Sequence, residues 1–104
     1  MATRILLAEA HGITRQGLRS LIEKEADMEV VGEARDGRKA LELVRQLIPD
    51  IVITDITMPN LNGVGATRQI VHNFPQVKVI ALSIHSRRAF VAGMFKAGAL
   101  LAIW

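Results

Sequence analysis

The stretch IVITDITMPNLNG, residues 51–63, joins a short apolar run to a segment rich in turn-forming residues. The run at residues 51–54 predicts a buried strand, because strands covered on both faces carry few polar side chains. Residues 58–63 contain proline, asparagine and glycine, and they predict a loop. Asp55 therefore lies at the end of a buried strand, where a charged side chain needs a partner or a function.

Strands and helices alternate on both sides of this stretch. Apolar runs predict four more strands, at residues 4–8, 29–34, 77–82 and 99–104. Helical spacing predicts helices at residues 13–24, 39–47, 64–74 and 86–97. We expect Asp36 to cap the second helix, Pro49 to end it, and Gly98 to cap the fourth. The alternation predicts an α/β fold with a parallel sheet, helices on both faces and right-handed crossovers, in one domain spanning residues 1–104.

Composition excludes several classes of protein. The chain has 104 residues and no cysteine, which excludes disulfides, thiolate metal sites and a cysteine nucleophile, and fits a reducing cytosol. No signal peptide and no membrane-spanning run is predicted. The net charge is +3, but the basic residues are scattered and only four residues are aromatic, which argues against direct nucleic-acid binding.

Candidate functional residues follow the strands, because ligands of open parallel sheets bind beyond the carboxyl ends of the strands. Glu9 follows the first strand, Asp55 ends the third, and Ser83 follows the fourth. A carboxylate can accept a phosphoryl group, and Mg²⁺ with oxygen ligands can neutralise the incoming charge. A hydroxyl such as that of Ser83 can donate to a phosphoryl oxygen. These residue types together favour a phosphoryl site.

The sequence resembles the receiver domain of bacterial two-component response regulators of the NarL/FixJ (LuxR-type) family. The stretches that carry the resemblance are RILLAEAHGITRQGLRSLIEKE (4–25), EVVGEARDGRKALELVRQLIPDIVITDITMPNLNG (29–63), ATRQI (66–70), VKVIALSIHS (77–86) and VAGMFKAGA (91–99). The resemblance implies the flavodoxin-like receiver fold, a doubly wound five-stranded parallel sheet with strand order 2-1-3-4-5. It also implies a signalling module in the cytoplasm and not an enzyme.

The resemblance further implies the role of each site residue. Asp55 would be the phosphoacceptor, loaded from a histidine kinase or another phosphodonor. Mg²⁺ would be held by Glu9, by Asp55 and by the backbone carbonyl of Thr57. Ser83 would be the switch hydroxyl that follows the phosphoryl group. DNA would be bound only through an attached output domain, which this chain does not contain.

Two departures from the family's pattern affect the site. Family members usually carry two adjacent acids after the first strand, and here Ala10 replaces the acid that touches the metal directly. Since a methyl group cannot ligate Mg²⁺, we expect weak or absent Mg²⁺ binding and impaired phosphorylation. The family's Lys after the fifth strand has no counterpart before the chain ends at Trp104, and Ala102 replaces the aromatic residue that couples to the switch hydroxyl.

A third departure concerns the fold, which is truncated before the fifth helix. We expect apolar surface of the first and fifth strands to be exposed, and therefore self-association as a dimer or by domain swapping. A truncated chain, a frameshifted gene and an early stop remain alternative origins of this ending.

Each candidate residue also has a simpler interpretation. Asp55 could cap the following helix, Glu9 could be a solvated loop acid, and Ser83 could bond only to backbone. His11, His72 and His85 share no metal-site spacing and are expected in loops or on the surface. Three functional hypotheses therefore stay open: a phosphoacceptor that still works, a pseudo-receiver that acts without phosphorylation, and a small α/β enzyme that uses the same pocket.

Overall fold

Strands and helices alternate in the computed structural model of the protein, which describes residues 2–55, 63–83 and 100–103. The strands within this part are β1 (Thr3–Ala8), β2 (Met28–Ala34), β3 (Ile51–Asp55), β4 (Lys78–Ser83) and β5 (Leu100–Ile103). The helices are α1 (Gly12–Glu23), α2 (Gly37–Leu47) and α3 (Gly63–Asn73). Each element lies within two residues of its predicted bounds. The predicted helix at residues 86–97, its cap at Gly98 and the loop at residues 58–62 lie outside the described residues.

The described strands form a parallel sheet with the order β2-β1-β3-β4-β5. Each neighbouring pair is parallel, with β1 lying between β2 and β3. This confirms the predicted doubly wound order. The pairing of β1 with β2 shifts between Ile5 and Leu6, so that Val31 is skipped as Ile5 pairs with Val30 and Leu6 with Gly32. An extra residue of this kind bends the strand that carries it.

The main core lies on the sheet face that α2 and α3 cover. Leu6, Val52 and Val79 are at most 2% exposed on neighbouring strands, and they pack with side chains from the two helices. The helical contribution comes from Ala40, Leu41, Val44 and Ile70. Asp36 caps α2 as predicted, because its Oδ1 accepts a hydrogen bond of 2.8 Å from the backbone N–H of Lys39.

The opposite face of the sheet is less completely covered. Ile5 and Leu7 of β1 lie outside the main core cluster and are also buried, on a strand that α1 contacts. The predicted exposure of the first strand is therefore wrong. The side chains of β5 lie outside the described residues. Farther along the same face, the side chains of β3 and β4 are only half-buried, namely Ile51, Ile53, Ile80 and Leu82.

Helix α1 lies on this second face, but it buries little of its surface. Within α1, all of which the structure describes, no residue is buried. Leu18 and Ile22 are half-buried, whereas Ile13 is 88% and Leu21 is 51% exposed. The helix therefore presents to solvent part of the apolar side that its sequence pattern defined. Among the described helices, none is long and apolar enough to cross a bilayer.

Candidate functional site

Strand register brings the candidate residues to one edge of the sheet. Ala8 of β1 pairs with Thr54 of β3, and the next residue of β3, Asp55, pairs with Leu82 of β4. Glu9 and Asp55 each follow directly after one member of the pair Ala8 and Thr54, and these two residues belong to neighbouring strands. Neighbouring strands lie about 5 Å apart, so the two backbones are adjacent at the carboxyl edge. Ser83 is one residue further along β4 and pairs with Ile103.

The backbone of Glu9 is fixed on both sides. Its N–H donates to the carbonyl oxygen of Ala34 at 2.9 Å, which continues the ladder between β1 and β2 beyond Ala8. Its carbonyl oxygen accepts from the Arg15 guanidinium of α1, also at 2.9 Å. Since Arg15 is held in turn by Glu33 at 3.1 Å, the position of Glu9 depends on both β2 and α1.

The carboxylate of Glu9 is buried, with 5% of the side chain exposed, so the alternative interpretation of Glu9 as a solvated loop acid is wrong. Its Oε1 accepts the backbone N–H of His11 at 2.9 Å and lies 2.8 Å from Nδ1 of the same residue. Within residues 2–55, 63–83 and 100–103, Oε2 of Glu9 makes no hydrogen bond. A buried carboxylate with a free oxygen can accept a further cationic or proton-donating partner.

His11 is the residue whose involvement the sequence did not reveal. It precedes α1 as the N-cap residue without capping the helix by its side chain, and that side chain is 74% exposed. The surface location was predicted correctly, but the contact with Glu9 was not. The available signal was the spacing of two residues between an acid that directly follows a strand and a histidine that directly precedes a helix. His72 lies exposed near the end of α3, and His85 lies outside the described residues.

An ion-pair group joins α1 to the edge of β2 beside this site. Glu33 accepts from Arg15 through Oε1 and from Arg19 through Oε2. Arg19 also pairs with Glu23 one turn further along α1, at 2.8 Å. Hydrogen bonds to Glu23 and then Glu33 raise the pKa of Arg19 above its already high usual value, so its charge is constant over the whole physiological pH range. This group holds Arg15 and, through it, the backbone of Glu9.

The described donors fit a magnesium ion only in part. Mg²⁺ prefers oxygen ligands in a strict octahedral arrangement. Glu9 supplies a buried carboxylate, and the backbone of Asp55 lies on the neighbouring strand, but Ala10, the residue after Glu9, offers only a methyl group. Thr57 lies outside the described residues. Across residues 2–55, 63–83 and 100–103, no three histidine, aspartate or glutamate side chains converge as a metal site would require.

Comparison with protein families gives one match that covers nearly the whole chain. The sequence model of the response regulator receiver domain matches residues 5–103. The transcriptional regulatory protein DegU of Brevibacillus brevis is 40% identical over 96 residues, which are 92% of this chain and 41% of DegU. The chemotaxis protein CheY of Thermotoga maritima is 41% identical over 99 residues, which are 95% of this chain and 82% of CheY. The chain spans less than half the length of DegU.

Solved structures show the same relationship. A LuxR-family two-component response regulator from Aurantimonas superposes with a TM-score of 0.90 and 36% identity, over 99% of this chain and 74% of that one. The response regulator domain of Thermotoga maritima CheB superposes with a TM-score of 0.88 and 32% identity, over 100% of this chain and 78% of that one.

Proposed function

The chain belongs to the response regulator receiver domain family, and we propose that it is a receiver whose phosphoacceptor is Asp55 and whose metal-dependent phosphorylation is impaired. Receivers are signalling modules of two-component systems. The observation that carries the proposal is the buried carboxylate of Glu9, which lies beside the backbone of Asp55 at the carboxyl edge of the sheet. That edge is where parallel α/β sheets bind their ligands.

The proposed reaction transfers a phosphoryl group from a phosphohistidine of a kinase to Asp55. The nitrogen–phosphorus bond breaks and a carboxylate oxygen of Asp55 forms an oxygen–phosphorus bond, which gives an acyl phosphate. A bound Mg²⁺ would neutralise charge between the acceptor and the incoming group. Glu9 and Asp55 would hold it with carboxylate oxygens, and Thr57 with its backbone carbonyl.

Ala10 is the reason to expect impairment. The residues that fix Glu9 leave one of its oxygens free, but they do not replace the carboxylate that the family carries one position later. A site with fewer charged oxygen ligands binds Mg²⁺ more weakly. Phosphorylation of Asp55 would then be slow or would need a high metal concentration.

The response to phosphorylation would also be altered. Ser83 would donate its hydroxyl to a phosphoryl oxygen, as the family's switch residue does. The strand next to Ser83 is β5, in which Ala102 pairs with Leu82, the residue before Ser83. Because Ala102 replaces the aromatic residue that follows the hydroxyl in the family, the movement of Ser83 would not be relayed in the usual way. Phosphorylation-independent contacts with partner proteins are the second candidate function.

The proposed partners follow from the family. The phosphodonor would be a histidine kinase, and this chain would meet the kinase in the cytoplasm. No part of this chain would insert into a membrane. DNA would be bound only through an output domain. The name of DegU, a transcriptional regulatory protein, implies such a domain in that protein. We also propose self-association through the incompletely covered face of the sheet and α1, where Ile13 and Leu21 are exposed.

Intact mass after incubation with a small acyl phosphate tests the phosphoacceptor. We expect a single phosphoryl adduct that requires Mg²⁺ in the high millimolar range and is absent from Asp55→Asn. Ala10→Asp should lower the Mg²⁺ concentration for half-maximal labelling about tenfold or more, because it restores a direct carboxylate ligand.

The outcomes separate the hypotheses. If neither the original chain nor Ala10→Asp forms an adduct on folded protein at any Mg²⁺ concentration, the phosphoacceptor hypothesis is excluded. That result would support the pseudo-receiver hypothesis. Continuous turnover of the acyl phosphate or of a generic ester without a stable adduct would indicate the small α/β enzyme instead.

A further inference from the structure

We propose that Arg15 is a positioning residue of the phosphoacceptor site: together with Glu33, it fixes the main chain of Glu9 and thereby the place of the Glu9 carboxylate at the carboxyl edge of the sheet. Arg15 lies in the first turn of α1, and it acts through Glu9 and not on the reacting atoms. The inference rests on the proposed function, because the role it gives Arg15 is in the reaction at Asp55.

The guanidinium of Arg15 joins three elements of the fold. Its Nη1 donates to the carbonyl oxygen of Glu9, directly after β1, at 2.9 Å, and its Nε donates to Oε1 of Glu33 in β2 at 3.1 Å. Because a guanidinium is planar and its N–H groups point in fixed directions, it holds the two acceptors in a set arrangement relative to α1. Glu33 is itself held by Arg19 through its second oxygen, so Arg15 has a fixed partner.

Anchoring the main chain of Glu9 also sets the direction of its side chain. The N–H of Glu9 donates to the carbonyl oxygen of Ala34 at 2.9 Å, and its carbonyl oxygen accepts from Arg15, so the peptide groups on both sides of its Cα are held. The direction of the Cα–Cβ bond follows from these two peptide groups. The N–H of His11 then donates to Oε1 of the carboxylate at 2.9 Å. A functional side chain is placed precisely only when supporting contacts of this kind hold it.

Burial makes the contact between Arg15 and Glu9 difficult to replace. Glu9 is 4% exposed and the side chain of Arg15 is 24% exposed, so water has limited access to their hydrogen bond. A charged donor makes a stronger hydrogen bond than a neutral one, and a buried carbonyl that loses its donor is unfavourable. Without the guanidinium, the peptide group after Glu9 would turn toward another donor, and the carboxylate would move with it.

The site depends on Glu9 more than a site with a second acid would. Glu9 carries the only carboxylate between the end of β1 and the start of α1, because Ala10 and His11 follow it. A displacement of about 1 Å at a reacting group can lower a rate about 100-fold, and loss of an outer contact that orients a functional group commonly costs about tenfold or more. We therefore expect the loss of Arg15 to slow phosphorylation of Asp55 about tenfold.

Amide hydrogen exchange of the full chain, followed by NMR, reports the position of Glu9 without any reaction. The N–H of His11 donates to Oε1 of Glu9, so its protection from exchange shows whether the carboxylate is in place. In Arg15→Met, which keeps a long unbranched side chain but no donor, the N–H of His11 should exchange about fivefold faster or more. Arg45→Met removes an exposed arginine from the last turn of α2 and is the matched control, in which this exchange should be unchanged.

Labelling of Asp55 by a small acyl phosphate at constant Mg²⁺ concentration tests the role in the reaction. Arg15→Met should slow labelling about tenfold in the original chain but less than about twofold in a chain that carries Glu9→Gln, because Arg15 acts only through the Glu9 carboxylate. A merely structural role would slow labelling of both chains equally. Arg15→Lys keeps a charged donor and should be labelled within about threefold of the rate of the original chain.

The two measurements separate this inference from the proposed function. The inference is overturned if the N–H of His11 exchanges as slowly in Arg15→Met as in the original chain, or if Arg15→Met slows labelling equally with and without the Glu9 carboxylate. If Glu9→Gln is not labelled at all, the exchange of His11 alone decides. If even the original chain is not labelled while the exchange of His11 rises as expected, the proposed function has failed and the positioning of Glu9 by Arg15 is supported.

Discussion

Arg4 connects three parts of the fold at the amino edge of the sheet. Its guanidinium Nη1 donates to the carbonyl oxygens of Leu47 and Ile48, at 2.8 and 3.1 Å, where α2 ends. Its backbone N–H donates to Oδ2 of Asp50 at 2.8 Å, and its carbonyl oxygen accepts from the N–H of the same residue. The last carbonyls of a helix lack partners within the helix and carry partial negative charge, which a guanidinium satisfies.

Arg4→Ala should therefore lower the free energy of unfolding by about 1–2 kcal/mol, because two helix-end carbonyls lose a charged donor. Urea denaturation followed by circular dichroism measures the change. Arg45→Ala is the matched control, since it removes an exposed arginine from the last turn of the same helix, and it should change stability by less than about 0.5 kcal/mol. Equal losses in the two variants would show that the hydrogen bonds of Arg4 contribute little.

At this scale, the sequence predicts contacts that are local and misses those that are not. Asp36 was predicted as a cap because the residue types and spacing of a helix start are contained in a few residues. The contact of Arg4 with Leu47 spans 43 residues and depends on the position of β1 beneath α2. Glu9 was predicted as a site residue from its place after a strand, but its contacts with Ala34 of β2 and Arg15 of α1 depend on the tertiary fold.

Two glycines show how one residue type has opposite effects in two elements. A methyl group on Gly32 of β2 would lie 3.0 Å from methyl carbons of both Leu6 and Leu47, so the strand and α2 approach each other closely there. A methyl group on Gly17 of α1 would meet nothing within 4 Å. No steric constraint therefore requires glycine at position 17. A glycine in the interior of a helix destabilises that helix relative to alanine.

Gly32→Ala should destabilise the protein by about 1–2 kcal/mol, because Leu6 is fully buried and cannot move aside without disturbing the core. Gly17→Ala should stabilise it by about 0.5–1 kcal/mol through the helix propensity of α1. The two alanine variants control for each other, and both are measured by urea denaturation at constant protein concentration. The same sign of change in both would contradict the packing that distinguishes β2 from α1.

Elements were predictable from their patterns, but their packing partners were not. The bounds of α1 were predicted within one residue. The sequence pattern also indicated which residues form the apolar side of the helix. Which part of that side touches the sheet depends on neighbours, and Leu18 and Ile22 face the strands while Ile13 and Leu21 do not. The strand order came from the family resemblance, since alternation alone fixes only a parallel sheet.

The molecule as a whole has two unequally covered sheet faces. Under α2 and α3, strand residues such as Val52 and Val79 are at most 2% exposed. On the other face, Ile53 of β3 and Ile80 of β4 remain half-buried, and the neighbouring α1 exposes Ile13. Apolar side chains exposed on a protein surface are typical of contact sites when they form a patch. A second copy of the chain presents the same surface, so that a two-fold contact can cover both at once.

Replacing Ile13 and Leu21 together by lysine should therefore weaken self-association at least about tenfold. Each change removes exposed apolar surface, and each adds a positive charge that repels the same charge on the second copy across the two-fold contact. Sedimentation velocity over a range of micromolar concentrations measures the association constant. Met28→Lys combined with Ile48→Lys is the matched control, because it adds the same charge at two exposed apolar residues outside α1 and should leave association nearly unchanged. A monomeric original chain throughout this range, or equal weakening by the control, would contradict an interface at α1.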